Sequence, residues 1–435
     1  MARAADADQA GQACAAVDGD AGLAHALTVH VVGAGLAGLS AAVELAALGR
    51  PVAVYEAAPR AGGRCRSYHD AQIGAVIDNG NHLVLSGNGA VATYLDRIGA
   101  SDRVSGPVEA AFPFLDAASG ERWTVRPSMG RMPWWLLDKA RRVPGTRVGD
   151  YLKLAPLLAA RNATVGDYVP TSGPLWERLF EPVLLAALNT AAADGSAKLA
   201  GRVLRETMAR GGRASRPLIA KPNLAAAFVD PAVAWLAARG VPVVNSERLR
   251  ALVFDGERVT GLDFGDRTVV VAEGDAVILA VPAPVAADLV PNLIVPTEFR
   301  AIISAHFAHR PPSMMPPILG LTNATVEWIF AFEDRISVTI SAADRLLDTP
   351  RGELAEILWA DVAKVLTLRP ELPRWQVVKE RRATFAATPA QDALRPPQRT
   401  WWANLVLAGD WVQTGLPATI EGALRSGVTA AALAR

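Results

Sequence analysis

The sequence predicts an α/β fold, in which helices cover a parallel sheet, joined to a second region of mixed α and β structure. Three observations lead to this prediction: a strand–turn–helix–strand pattern over residues 28–55, a return of short buried strands over residues 241–281, and a last strand and helix over residues 405–433. Other patterns interrupt this series twice, and 435 residues exceed what one hydrophobic core usually covers. We therefore expect two interleaved domains.

The first βαβ unit follows from hydrophobic periodicity. Residues 28–32 are rich in β-branched side chains and predict a strand that ends at Gly33. Residues 36–48 carry small and apolar side chains at helical spacing, and residues 51–55 predict a second apolar strand. The whole unit has the length of about 30 residues that a βαβ motif requires.

The turn between the first strand and helix has the glycine spacing of a dinucleotide-binding, Rossmann-type site. In that spacing the first glycine permits a tight turn, the second admits a pyrophosphate, and the third lets the helix pack on the strand. Backbone N–H groups at the helix start hold the phosphates, and an acid ending the second strand takes the ribose hydroxyls. The residues assigned to these tasks are Gly33, Gly35, Leu36, Ala37, Gly38 and Glu56. The alternative interpretation is a glycine-rich turn in a core of small side chains.

Further segments indicate FAD rather than a nicotinamide dinucleotide. Two adjacent glycines before an arginine let a loop pass close to the pyrophosphate and offer fixed donors to it. A carboxylate after a buried strand can accept hydrogen bonds from ribityl hydroxyls, and the next helix start favours negative charge. With the end of a strand predicted over residues 241–244, these segments add Gly62, Gly63, Arg64, Val244, Gly409, Asp410, Thr419, Ile420 and Glu421 to the predicted cofactor site. Glu421 is equally well explained as a first-turn acid placed for the helix dipole.

The predicted domains are discontinuous. The FAD-binding domain is predicted to comprise residues 28–100, 217–290 and 401–435. The substrate domain, which also faces the membrane, is predicted to comprise residues 101–216 and 291–400. Residues 1–27 are rich in Ala, Asp and Gly and predict a disordered N-terminal extension.

Patterns within these segments predict further elements. Residues 101–216 are expected to be mostly helical, and residues 223–239 also predict a helix. Residues 249–271 predict a β-meander with turns at Asp255-Gly256 and Gly265-Asp266. Trp401 and Trp402 are expected to pack at the start of the last strand.

Composition excludes several classes of function. A formal net charge of +1 argues against a nucleic-acid partner held by bulk charge. Cys14 and Cys65 are the only cysteines, so neither a disulfide framework nor a cysteine metal site is expected. His306 and His309 are spaced like two metal ligands but have no suitable third ligand, so we predict no metal site. The scarcity of cysteine fits a reducing, cytoplasmic location, and residues 1–27 lack the cationic start and long apolar core of a secretory signal.

One aromatic and basic segment predicts contact with a membrane surface. No stretch of 18 or more uninterrupted apolar residues occurs, so a spanning helix is not expected. Aromatic and aliphatic side chains followed by basic ones suit the interface of a bilayer. The residues concerned are Trp134, Trp135, Leu136, Leu137, Lys139, Arg141 and Arg142. We predict peripheral contact at the inner face of the cytoplasmic membrane; the alternative is helix packing within the substrate domain.

With these motifs in place, the chain resembles the glutathione-reductase-type FAD superfamily, which includes amine oxidases and carotenoid desaturases. The stretches that carry this resemblance are VVGAGLAGLSAAVELA, YEAAPRAGGR and LAGDWVQTGLPATIEGALRSG. Within the superfamily, IDNGNHLVLSG, WWLLDKARRVPG and FEPVLLAALNT are similar to the squalene-associated FAD-dependent desaturases, also called hydroxysqualene dehydroxylases. The resemblance covers residues 28–432 and implies an FAD-binding domain with an interleaved α+β substrate domain.

The resemblance further implies that reduced FAD supplies a hydride to a C30 isoprenoid allylic alcohol, which loses its hydroxyl to give squalene, as in bacterial hopanoid biosynthesis. Such a reaction needs an acid to help water leave and an apolar cavity for the lipid. His82 lies in the loop that the superfamily brings towards the flavin, and its imidazole is the first candidate for the proton donor. Asp78 is the second. The structural alternatives are a histidine that ties down a loop and a plain turn aspartate.

Three other functions remain open at this stage. A carotenoid or phytoene-type desaturase would move hydride in the opposite direction, from substrate to FAD. A flavin amine oxidase is disfavoured because five tyrosines leave little material for an aromatic cage around an amine. A prenyl-lipid-binding escort protein would need no redox chemistry, but the intact glycine turn, Glu56 and Gly409-Asp410 argue against it.

Overall fold

The structure is a computed structural model that describes residues 27–434. The extension predicted over residues 1–27 lies outside the described residues except for Leu27, and so does Cys14. None of the helices formed by residues 27–434 is long and apolar enough to cross a membrane.

The described residues form twenty strands and ten α-helices. The strands are β1 Val29–Val32, β2 Val52–Tyr55, β3 Ser67–Asp70, β4 Ala75–Asp78, β5 Leu83–Leu85, β6 Val104–Ser105, β7 Phe112–Asp116, β8 Arg122–Val125, β9 Pro217–Ala220, β10 Val243–Val244, β11 Ala251–Asp255, β12 Arg258–Asp263, β13 Thr268–Val270, β14 Ala276–Leu279, β15 Phe299–Phe307, β16 Ile318–Thr322, β17 Trp328–Ala331, β18 Ile336–Ile340, β19 Trp375–Phe385 and β20 Leu405–Leu407. The α-helices are α1 Leu36–Ala47, α2 Gly89–Arg97, α3 Val148–Leu152, α4 Glu181–Leu188, α5 Ala197–Glu206, α6 Asp230–Ala237, α7 Ala283–Leu289, α8 Arg351–Leu366, α9 Pro389–Ala393 and α10 Ile420–Leu433.

A five-stranded parallel sheet holds the first βαβ unit. Its strand order is β10-β2-β1-β14-β20, and every neighbouring pair is parallel. β1 is buried along its whole length, as expected where both faces of a parallel sheet are covered. The sheet draws its strands from the predicted segments 28–100, 217–290 and 401–435, which supports the α/β prediction.

The predicted meander is confirmed, with β11, β12 and β13 pairing antiparallel around the two predicted turns. At the start of β20, Trp402 packs against Phe254 with ring centroids 4.8 Å apart, as expected. Trp401, in contrast, is 78% exposed, so its predicted packing is wrong. Trp402 faces the meander, whereas the bend before β20 directs Trp401 to solvent.

A seven-stranded sheet of order β19-β15-β18-β17-β16-β7-β8 forms the second layer. The prediction that residues 101–216 are mostly helical was therefore partly wrong, because β6, β7 and β8 lie in this segment. β7 pairs in parallel with β16, a strand some two hundred residues later in the chain. Local periodicity cannot reveal a strand whose partner is so distant in sequence.

The two faces of the seven-stranded sheet have different neighbours. One face packs on α8 through a core that includes Ile303, Val338 and Trp359. On the other face Ser304 and Thr339 alternate with these apolar residues and turn towards the nucleotide-binding sheet. This second face covers the site described below.

Close packing of α1 against α10 fixes the nucleotide-binding layer. The Ser40 hydroxyl donates to the carbonyl of Leu424 at 2.9 Å, so the two helices are in contact. A Cβ placed on Gly427 would lie 2.3 Å from the carbonyl oxygen of Ala37. Only glycine therefore permits the observed distance between the two helices.

We predict that Gly427→Ala lowers the free energy of unfolding by about 1–3 kcal/mol, because the added methyl must push α10 away from α1. Calorimetric Tm of the purified variant measures the effect. Gly352→Ala in α8 is the matched control, since a Cβ there meets no atom within 4 Å and should leave Tm unchanged or slightly higher. Equal Tm values for the two variants would contradict the packing assignment.

Candidate active site

The three glycines after β1 have three different environments. Gly33 has φ +103°, and a Cβ there would lie 2.5 Å from the Ala280 carbonyl oxygen. A Cβ on Gly38 would lie 1.9 Å from the Gly33 carbonyl oxygen, which confirms close packing of helix on strand. Gly35, in contrast, has ordinary extended dihedrals (φ −72°, ψ 177°), and a Cβ there meets nothing within 4 Å. The space beside Gly35 at the start of α1 is therefore an open cradle.

Glu56 lies against this turn. One of its carboxylate oxygens accepts a hydrogen bond from the Ala34 amide at 2.7 Å, and the other accepts from the Ala58 amide at 2.8 Å. The Glu56 amide itself donates to the carbonyl of Val244, so Val244 contributes its backbone at this position. The sequence-predicted acid is thus beside the glycine turn, at the end of β2.

The Gly62-Gly63 loop packs on the same turn. The Gly62 amide donates to the Ala34 carbonyl at 2.8 Å. Both glycines have positive φ, and a Cβ on Gly63 would lie 3.3 Å from the Cα of Gly35. The two glycines therefore bring a second backbone segment to the wall of the cradle.

Arg64 connects this loop with the segment after β20. Its guanidinium donates to a carboxylate oxygen of Asp410 at 2.7 Å and to the carbonyl of Ala383 at 2.5 Å. The Asp410 carboxylate raises the pKa of Arg64 above its usual value, so the guanidinium stays charged. On the other side, buried Arg395 donates to the Asp410 carbonyl. Residues 346 positions apart in the sequence thus meet at one point.

The start of α10 closes the site from another side. The Thr419 hydroxyl caps the helix by accepting from the Gly422 amide at 3.0 Å, and Ile420 is buried in the core. The Glu421 carboxylate accepts from the Ala90 and Val91 amides at the start of α2. Arg425 donates to the same carboxylate at 2.7 Å.

These contacts correct the assignment of the Glu421 side chain to the cofactor. Its oxygens stabilise the positive end of α2 and pair with Arg425 instead. The alternative prediction, that Glu421 interacts with a helix dipole, is correct. The helix concerned is α2, however, and not α10, which contains Glu421.

Asp78 is also a structural residue rather than a proton donor. It is 2% exposed, and one carboxylate oxygen accepts from the Ser67 hydroxyl at 2.6 Å and from the Leu224 amide at 2.9 Å. Its other oxygen lies 3.7 Å from the guanidinium of buried Arg335. Burial raises the pKa of Asp78, whereas these partners oppose the rise. The carboxylate is therefore occupied in joining β4 to the segment before α6.

The loop of residues 79–82 is attached to the seven-stranded sheet at several points. Asn79 donates to Glu380 at 3.2 Å, and the Asn81 amide donates to the Thr339 hydroxyl at 3.0 Å and to the Val338 carbonyl at 3.1 Å. The preceding Asp78 carbonyl pairs with the ring of His306 at 3.0 Å. The loop is thus held between the two domains.

His82 ends this loop and is partly buried. Its Nε2 lies 3.9 Å from the position that a Cβ on Gly80 would take. Burial and the nearby Arg64 lower the pKa of His82 to about 4, and Asp410 opposes this only weakly. The ring is therefore neutral at pH 7, which argues against the predicted role of His82 as the proton donor.

One row of residues runs across the inner face of the seven-stranded sheet. The register pairs Ser304 with Thr339, Thr339 with Trp328, Trp328 with Gly320, Gly320 with Phe114, and Phe114 with Trp123. Residues paired in this way lie on the same face, and strands are spaced by about 4.8 Å. The row therefore leads from polar side chains beneath the 79–82 loop to an aromatic cluster at the far edge.

A cavity of about 330 Å³ opens at the aromatic end of this row. Phe114 and Trp123, whose stacked rings have centroids 5.6 Å apart, form part of its wall. Prolines and aliphatic side chains supply most of the remaining wall, with Ile219 and Ile318 among them. Ile219 pairs across β9 and β5 with Leu83, the residue after His82. One wall of the apolar cavity thus lies next to the strand that follows His82.

The segment proposed for membrane contact divides into inward and outward residues. Trp134 and Leu137 are 64% and 68% exposed, whereas Trp135 and Leu136 are buried. Trp135 packs edge-on against Tyr151, with centroids 5.4 Å apart. The assignment of Trp135 and Leu136 to an interface is therefore wrong, because the segment forms a tight 3-10 turn that directs only its ends outward.

The basic residues that follow help to hold this turn. Arg141 donates to the Arg126 carbonyl and Arg142 to the Leu136 carbonyl. Lys139 is exposed to solvent, and Arg141 is partly exposed. Their charges remain at the surface beside Trp134 and Leu137.

The histidine pair that we excluded as a metal site has other partners. His306 is fully buried between the Ser337 hydroxyl and the Asp78 carbonyl, and His309 pairs with the carbonyl of Arg310. Residues 27–434 contain no group of three or more His, Cys, Asp and Glu side chains able to hold a metal ion.

Asn189 is a residue of the site region that sequence reasoning missed. It ends α4 in a left-handed conformation, donates to Thr384 at 2.9 Å, and accepts from the Ala342 amide at 2.7 Å. It thereby joins α4 to β19 and to the loop after β18. Its place at the end of FEPVLLAALNT was the available signal, since asparagine is one of the few residues that tolerate positive φ.

The glycine turn and its surroundings fit FAD. The cradle at Gly35 faces free backbone donors at the start of α1, which suits a pyrophosphate. Glu56 lies where ribose hydroxyls are bound in such folds, and Arg64 with Asp410 follows the Gly62-Gly63 loop that packs on the same turn. Residues that would hold the cofactor are thus Gly33, Gly35, Gly38, Glu56, Gly62, Gly63, Arg64, Gly409 and Asp410.

Comparisons with known proteins agree with this geometry. Residues 36–434 match the family described as flavin containing amine oxidoreductase. The hydroxysqualene dehydroxylase of Rhodopseudomonas palustris is 54% identical over 408 residues, which cover 93% of this chain and 98% of that protein. The enzyme of the same name from Sinorhizobium fredii is 54% identical over 407 residues, with the same coverage of both chains.

The fold also has solved counterparts. An oxidoreductase from Methanosarcina mazei superposes with a TM-score of 0.70 at 15% identity, over 93% of this chain and 99% of that one. At this identity the likeness supports the fold alone. The family match and the two relatives cover nearly the whole described chain. The chain therefore belongs to the flavin containing amine oxidoreductase family and, within it, to the hydroxysqualene dehydroxylases.

Proposed function

We propose that this chain is an FAD-dependent oxidoreductase that converts hydroxysqualene to squalene. The observation that carries the proposal is the row on the inner face of the seven-stranded sheet, which runs from the wall of an apolar cavity to polar side chains beneath the 79–82 loop. A long hydrocarbon with one hydroxyl group needs both environments. Reduced FAD supplies a hydride to the carbon that loses oxygen, so one C–O bond breaks, one C–H bond forms, and water is released.

The protein contributes binding, orientation and exclusion of water. Phe114, Trp328 and the cavity wall offer apolar surface to an isoprenoid arm. Gly320 leaves room for both rings, because a Cβ there would lie 2.6 Å from Phe114. A site lined in this way shelters a positively charged carbon centre from bulk water while the hydroxyl departs.

Two of the charged groups beside the cradle form an ion pair. Arg64 and Asp410 neutralise one another, and His82 is uncharged at neutral pH. A neutral imidazole can still donate or accept a hydrogen bond, so we assign His82 to orienting the hydroxyl rather than to protonating it as a cation.

We further propose that the enzyme rests on the inner face of the cytoplasmic membrane through Trp134 and Leu137. Both side chains are well exposed beside Lys139 and Arg141, and Met132 next to them is 59% exposed. Aromatic and aliphatic side chains bury their surface in the interface, and basic residues are attracted to anionic lipids. Such contact would let a water-insoluble lipid pass directly between bilayer and enzyme.

Anaerobic incubation with chemically reduced FAD and hydroxysqualene is expected to yield squalene, identified by mass spectrometry. Gly35→Val is the matched variant, because the dihedrals of Gly35 suit valine and a Cβ there meets no protein atom within 4 Å, yet the added side chain fills the cradle. We expect it to fold normally, to retain at least ten-fold less flavin, and to form no squalene. Squalene consumption by the oxidised wild-type enzyme would instead favour a desaturase.

The pH dependence of turnover tests the state of His82. A group with a pKa of about 4 does not change its charge between pH 6 and 8, so His82 should add no titration to kcat in that range. A charged acid would make kcat fall as pH rises through its pKa. We therefore expect wild type and His82→Gln to have pH profiles of the same shape. A fall in wild-type kcat near pH 6.5 that is absent from His82→Gln would refute this assignment.

Vesicle flotation tests the membrane contact. Trp134→Ala/Leu137→Ala is expected to reduce binding to anionic vesicles at least ten-fold, since each buried apolar side chain contributes about 1.5–3 kcal/mol. The control is Trp401→Ala, which removes a similarly exposed tryptophan near the meander. Equal flotation of the double variant and the control would rule out the proposed contact.

A further inference from the structure

Two buried polar atoms in the site region have no hydrogen-bond partner among the described residues. They are the Ser304 hydroxyl oxygen and the Asn81 side-chain carbonyl oxygen. Ser304 is only 1% exposed. Buried polar atoms nearly always have a partner in folded proteins, so a pair of free ones in one region points to a ligand that supplies it.

The orientation of Asn81 is settled by chemistry. Its amide contacts the Val338 carbonyl, which can only accept, so the nitrogen must face Val338 and Thr339. The oxygen is therefore the atom left free, and it can only accept a hydrogen bond. The Ser304 hydroxyl, in contrast, can donate.

Ser304 and His82 face a common gap. A Cβ built on Gly80 would lie 3.8 Å from the Ser304 hydroxyl and 3.9 Å from the His82 ring, with no atom closer. Glycine thus leaves room for a small polar group at this position. Thr339, which pairs with Ser304 across the strands, holds the Asn81 amide and fixes the loop above the gap.

We propose that Ser304 and Asn81 recognise the substrate hydroxyl, a role that rests on the proposed function. The substrate O–H donates to the Asn81 oxygen, and the Ser304 hydroxyl donates to the substrate oxygen. Both contacts persist as that oxygen leaves the carbon, and the second stabilises its growing negative charge. The apolar row beyond Trp328 takes a hydrocarbon arm, so the polar pair determines which carbon lies beside the cofactor.

Binding to the oxidised enzyme separates recognition from chemistry. Hydroxysqualene and squalene are titrated in detergent micelles, and the perturbed flavin absorbance reports each Kd. We expect Ser304→Ala to weaken hydroxysqualene binding about ten-fold and to change squalene binding less than two-fold. Ser304→Thr, which restores the hydroxyl, should recover most of the preference.

Two further measurements exclude a merely structural effect. Because the Ser304 hydroxyl has no protein partner, Ser304→Ala should keep or raise the Tm of the ligand-free holoenzyme. Trp328→Phe is the matched control, since its indole N–H on the same row is also unpartnered. It should change the affinities for the two lipids by similar factors.

The outcomes distinguish this inference from the proposed function. If wild type reduces hydroxysqualene but Ser304→Ala binds both lipids as wild type does, the gap holds water only and the inference is overturned. If wild type neither binds nor reduces hydroxysqualene, the proposed function itself fails and this role of Ser304 fails with it.

Discussion

Contact between backbones without intervening side chains is the constraint on which the nucleotide-binding half depends. Gly38 lets α1 descend onto the end of β1, and Gly427 lets α10 lie against α1. Once these distances are set, the start of α1 presents its free amides next to Glu56 and the Gly62-Gly63 loop. The cofactor cradle is thus a consequence of helix packing, and Gly35 differs from its neighbours because its missing side chain leaves space for a ligand rather than for protein.

The second half of the site depends on how the 79–82 loop is held. Asp78 and Asn81 attach this loop to Ser67, Leu224, Arg335, Val338 and Thr339. None of these contacts places a net charge of the loop in the cavity. Arg64 and Asp410 cancel one another nearby. An environment with paired charges and a neutral histidine suits an uncharged hydrocarbon better than it suits an amine, which would need an anionic or aromatic partner.

Sequence reasoning predicted the positions of site residues correctly where the residues that act together are also close together in the chain. Gly33, Gly35 and Glu56 belong to one βαβ unit, whose periodicity and spacing determine their positions without distant contacts. It was unsuccessful where the position of a side chain depends on strand register. Nothing in the local sequence distinguishes Ser304 from other strand serines, since only its pairing with Thr339 places it beneath Asn81. Strand β7 was missed because its partner β16 lies far along the chain.

The same limit explains the residues that were given the wrong role. Asp78 and Glu421 are acids near the expected cofactor. Each instead accepts a hydrogen bond from a backbone amide at the start of a helical segment distant in sequence. Tryptophan is a residue type common at membrane interfaces, but a 3-10 turn directs Trp135 inward onto Tyr151. In each case the decisive neighbour comes from tertiary structure, which residue type alone does not specify.

The order of strands in the parallel sheet has a consequence for how the protein is made. β14 stands between β1 and β20, and β20 is the last of the five strands to leave the ribosome. Until it arrives, β14 presents an apolar edge with unpaired amides and carbonyls, which other nascent chains can extend. The charge of Arg64 likewise has no partner in Asp410 until that residue, 346 positions later in the chain, has been synthesised. The edge of β14 is therefore open to aggregation while residues 280–404 are synthesised, and the wall of the site that contains Asp410 is complete only after β20 has formed.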